Sequence, residues 1–78
     1  MTTTETITDR QISDLATAAA ANGDILQAAI AAHALGEDWT EMDLTAQERA
    51  RVQAMTRDEA RAECARVYAD AEAAGEHA

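Results

Sequence analysis

The chain has no proline, no phenylalanine and no lysine, and it carries one cysteine, one tryptophan, one tyrosine and three glycines. Without proline, nothing in the sequence forbids a helix interior. Sheet material is also scarce. Only Val52, Val67 and four isoleucines are apolar and β-branched, and none stands in an alternating run, so a sheet is excluded. A lone Cys64 cannot close an intramolecular disulfide, and nothing ties the fold to an oxidising compartment.

Positive charge is equally scarce: six arginines face fifteen acidic residues, for a net charge of −9 over 78 residues. A chain of this charge on average repels phosphates, which argues against direct DNA or RNA binding and an anionic membrane surface. No apolar run approaches the ~20 residues of a membrane span. The opening MTTTETI is polar and lacks the apolar centre of a signal peptide, so a cytoplasmic location is expected.

What the chain has in abundance is alanine, which makes up 21 of its 37 apolar residues. Alanine is the best helix former but buries little surface, so the composition favours thin, closely packed helices around a small core. A core at this length rarely supplies more than roughly 3 to 5 kcal/mol. The expected fold is all-α: a single domain over 1–78, with residues 1–7 and 76–78 flexible.

Capping chemistry delimits the helices better than propensity in such a sequence. Thr8 with Gln11 forms a capping box, and Ile7 and Ile12 stand at the two positions of a hydrophobic staple. The first helix then presents Ile12, Leu15, Ala16 and Ala19 on one face and stops at Asn22-Gly23. Asp24 caps a second helix, ILQAAIAAHAL, which ends at Gly36 and is apolar nearly all round. It is either the centre of the fold or, through Ile25, Leu26 and Ile30, an oligomer seam. An acidic connecting loop, GEDWTEMDL, follows. Thr45 with Glu48 caps a third helix centred on Val52 and Met55, and Thr56 with Glu59 a fourth, with a stripe of Ala60, Cys64, Val67 and Ala71 beside Tyr68. The last two could be one kinked helix. The architecture is therefore a bundle of three to four helices, a hairpin followed by an acidic loop and one or two further helices. Asp58–Arg61, Glu63–Arg66 and Arg66–Asp70 are spaced to pair on an exposed surface.

Candidate chemistry is sparse. The helix after Asn22-Gly23-Asp24 begins with Ile25, Leu26, Ala28 and Ala29, which offer nothing to phosphates or base edges, so a DNA-reading helix-turn-helix is not indicated. His33, Cys64 and His77 lack the close spacing of a zinc site, and no metal or cofactor is expected. A Cys64–His33 nucleophilic pair would need a pocket that so thin a core has little room to enclose, and no catalytic residue is assigned. The informative feature is Trp39, flanked by Glu37, Asp38, Glu41 and Asp43. It either anchors the loop to the core or forms an interface hot spot ringed by steering charges.

ITDRQISDLATAAAANGDILQAAIAAHAL (7–35) and ARAECARVYADAEA (60–73) resemble the two ends of short accessory proteins encoded by bacteriophages and mobile elements of GC-rich bacteria. The resemblance implies a context in which anti-CRISPR proteins and other inhibitors of host defence are found, but no binding residue. With the charge, it leads to the expectation of a small acidic inhibitor that occupies a basic surface of a host nucleic-acid-handling complex, such as a CRISPR-Cas assembly, through Glu37, Asp38, Trp39, Glu41 and Asp43. The alternative is a structural or assembly module, a helical homodimer or small subunit joined through the second helix.

Overall fold

The Thr8 hydroxyl accepts from the Gln11 backbone N–H at 3.1 Å, and the Gln11 side chain accepts from the Thr8 N–H at 3.0 Å. This reciprocal cap starts α1, Asp9–Ala21, in a computed structural model that describes residues 7–75. Ile7 and Ile12 are both buried and join the same core cluster, as the staple requires. Of the segment 1–7 expected to be flexible, only Ile7 is described, and it is buried at 6% exposure; residues 1–6 and the tail 76–78 lie outside the described residues.

Gly23 stops α1 in the left-handed region at φ 78. The Gly23 N–H donates to the Ala20 carbonyl and the Asp24 N–H to the Ala19 carbonyl, which satisfies the carbonyls the helix end leaves free. Asp24 then caps α2, Ile25–Leu35, by accepting from the Gln27 N–H at 3.2 Å. One residue thus closes one helix and opens the next, giving a tight α1–α2 hairpin. Gly36 ends α2 in the same manner at φ 79, with Glu37 N–H donating to the Ala32 carbonyl.

Central placement accounts for the apolar character of α2. It packs against each of the other helices and buries Ala28, Ala29, Ile30, Ala31, Ala32 and Ala34. Small residues on so many sides let the neighbouring helices approach closely. α3, Ala46–Ala54, opens on the expected Thr45–Glu48 capping box and buries Val52. Thr56 and Glu59 form a third box, and Met55 before it is extended at ψ 139, so α3 and α4, Arg57–Gly75, are two helices and not one kinked one. The core contributed by α4 is Ala60 and Cys64, both fully buried. Farther along the same helix, Val67 and Tyr68 are half-buried and Ala71 is exposed.

Candidate functional site

Residues 36–45, between α2 and α3, form the acidic segment to which the sequence points. Its side chains divide by position: Trp39 and Leu44 are buried at 8% exposure each and Met42 is half-buried, whereas Glu37, Asp38, Glu41 and Asp43 are exposed. The apolar residues face the core and the carboxylates face water. Trp39 is therefore a core anchor. Its ring meets the His33 imidazole in an edge-to-face pair, with centroids 6.0 Å apart and planes at 71°, an arrangement favoured by the aromatic quadrupoles. Of the two readings of Trp39, its burial supports the anchor: the indole completes a core that alanine leaves thin.

Two polar devices hold this segment in place. Asp38 accepts from the Thr40 N–H at 2.9 Å and the Thr40 hydroxyl at 2.6 Å, which holds its carboxyl below the ordinary carboxylate range. Arg49, projecting from α3, donates to the carbonyls of Thr40 at 2.6 Å and Met42 at 3.2 Å. Both are local interactions across short sequence distances. The loop is thus shaped by its own residues and one arginine.

Three further arginines, Arg57, Arg61 and Arg66, are engaged within the chain, whereas Arg10 and Arg51 are exposed. Arg57, at the start of α4, donates to the Ala34 and Leu35 carbonyls at the C-terminal end of α2, where a cation complements the helix dipole. Arg61 donates to the Ile7 carbonyl and pairs with Asp9 at 2.9 Å, not with Asp58 as its spacing suggests. Arg66 does pair with Glu63 and Asp70, as expected. Glu37, Glu41 and Asp43 form no ion pair among the described residues. Glu37, Glu41 and Asp43 are exposed, as are Arg10 and Arg51.

The proposed oligomer seam fares differently. Ile30 is 2% exposed within a single chain, so it belongs to the monomer core and is not on a surface; Ile25 and Leu26 are half-buried. The His33 Nε2 is bound to the Met55 carbonyl at 2.7 Å. Cys64 is fully buried, and burial pushes its thiol up to about 11, with Glu63 adding to the shift and Arg61 opposing it. This is the direction opposite to that of an activated nucleophile. His77 lies outside the described residues, which contain no group of three or more His, Cys, Asp or Glu placed to hold a metal ion and no helix long and apolar enough to cross a membrane.

A feature not anticipated from the sequence lies where α4 meets α1. A groove of about 360 Å³ is lined by Asp14, Leu15, Ala18, Tyr68, Ala71 and Glu72. A second, of about 220 Å³, shares Leu15, Ala18 and Ala71 with it and reaches Asp24 and Gln27 at the start of α2. Alanine at 18 and 71 is the local cause, because a methyl group cannot fill the space between two helices. Comparison with known protein families, with curated proteins and with solved structures finds no match for this chain.

Proposed function

We propose that this chain is a small protein-binding inhibitor that places an acidic surface against the basic surface of a host nucleic-acid-handling or defence complex, in the manner of anti-CRISPR proteins. The observation that carries the reading is the division of charge. Arg49, Arg57 and Arg61 direct guanidinium N–H groups onto backbone carbonyls, while Glu37, Glu41 and Asp43 stand exposed on the 36–45 segment without ion-pair partners among the described residues. Such a surface steers toward arginine- and lysine-rich partners and competes with nucleic acid for them. Trp39 and Leu44 tie the segment to the core, with the carboxylates on its exposed side.

Affinity capture from a bacterial lysate, repeated after nuclease treatment, tests the reading. Wild-type protein should retain nucleic-acid-binding proteins, and added DNA should displace it from them. The Glu37→Lys/Glu41→Lys/Asp43→Lys variant should lose them. Equal retention by both, or retention undiminished by competing DNA, would overturn the assignment of this surface.

A further inference from the structure

We propose that the valley between α1 and α4 is a docking site for an amphipathic, basic helix of a protein partner. The inference deepens the protein-binding reading above, on which it rests, by naming a second surface and the kind of segment it takes. The two grooves meet at Leu15, Ala18 and Ala71 and form one apolar depression between two helices. A groove of that kind is filled by a third helix, whose ridge of side chains at i, i+3, i+4 and i+7 lies between the two. The side chains available to meet it are the half-buried Val67 and Tyr68 and the exposed Ala18 and Ala71, over a floor at the buried Leu15.

The rim selects the partner. Asp14 on α1 and Glu72 on α4 stand on opposite walls of the larger groove, and Asp24 flanks the smaller one. Asp14 and Glu72 are exposed and form no ion pair among the described residues. Apolar floor and acidic walls complement a helix with a narrow apolar stripe flanked by Arg or Lys. A second copy of this chain is disfavoured at the same place, because its own valley would set carboxylates against carboxylates. At the α2 end, the Gln27 amide nitrogen is enclosed and has no hydrogen-bond partner among the described residues, leaving a donor beside the groove.

The test is a titration of isotope-labelled protein with a synthetic helical peptide of about 18 residues, roughly 27 Å long, bearing a leucine stripe flanked by lysines. One control peptide has the same composition in shuffled order, and another has glutamate in place of lysine. Resonance shifts should concentrate at Leu15, Ala18, Tyr68 and Ala71, and both controls should bind at least about tenfold more weakly. Ala71→Trp, which fills the valley from an exposed position, and the pair Asp14→Lys/Glu72→Lys should each weaken binding by a similar factor while leaving the helical signal intact. Shifts confined to 37–43 with Ala71→Trp unaffected would overturn the valley and leave the acidic-surface reading standing. Equal binding of the shuffled peptide would do the same. No binding by any lysine-flanked peptide would likewise overturn the valley, and the capture experiment would still decide the acidic-surface reading.

Discussion

The His33 Nε2 lies 2.7 Å from the carbonyl oxygen of Met55 and thereby joins the last turn of α2 to the break between α3 and α4. A carbonyl can only accept, so Nε2 carries the hydrogen. The break frees this carbonyl from helical bonding, and the imidazole supplies its donor. Two residues on, Arg57 returns the favour by donating to the α2 carbonyls of Ala34 and Leu35. The two ends cap each other.

Replacing His33 with leucine should therefore destabilise the protein by about 1 to 3 kcal/mol, the cost of leaving a partly buried carbonyl without a donor. Urea unfolding followed by circular dichroism measures it. A midpoint unchanged from wild type would show that water serves Met55 equally well.

Trp39, at 8% exposure, should emit at short wavelength and resist quenching by iodide in the free protein. Trp39→Ala should cost about 3 to 5 kcal/mol, comparable with the whole stability available at this length, and so yield a largely unfolded chain. The exposed Glu41→Lys change should leave unfolding nearly unaltered. A folded, stable Trp39→Ala protein would mean that the indole is not part of the core.

Gly23 and Gly36 offer a matched comparison. Both have φ near 80°, at 78 and 79, but an added Cβ at Gly23 meets nothing within 4 Å, whereas at Gly36 it comes within 3.1 Å of the Arg57 guanidinium. Gly23→Ala should cost about 1 to 2 kcal/mol from the left-handed backbone alone. Gly36→Ala should cost more, and the excess should disappear in an Arg57→Ala background. An excess that persists there would place its origin elsewhere.

Cys64 gives a pH dependence. Its thiol rises from the ordinary value of 9.0 to about 11 on folding, so the folded state holds the proton longer than the unfolded one. Stability from this group is full below pH 9 and is lost as pH rises toward 11. Unfolding of wild type should become easier across that range than unfolding of Cys64→Ala. Parallel curves for the two proteins would contradict the assignment.

Helix boundaries were legible in the sequence because caps are local: Thr8–Gln11, Asp24–Gln27, Thr45–Glu48 and Thr56–Glu59 each act across three residues. The apolar circumference of α2 pointed to either the centre of the fold or an oligomer seam, and its packing against the other three helices decides for the centre. Partners distant in the chain were not legible. Arg61 reaches Asp9 across 52 positions in preference to the Asp58 beside it, and Arg57 reaches Ala34 across 23. Helical spacing says nothing about either. Trp39 could be read as anchor or as hot spot until its burial was known, and Ile30 could be placed at a surface seam only while the surrounding helices were unplaced. The α1–α4 valley had a faint signal in Ala71, a small residue at the end of the stripe through Cys64 and Val67, which looked like core and instead leaves a groove.

The proposed function places the exposed carboxylates of the 36–45 segment against a basic protein surface. It is tested most directly by the salt dependence of affinity for the protein captured from lysate, measured for wild type and for Glu37→Lys/Glu41→Lys/Asp43→Lys. The account predicts wild-type affinity that falls steeply as ionic strength rises, and a variant that binds weakly with a flatter slope. Equal affinities and equal slopes for the two proteins would contradict it.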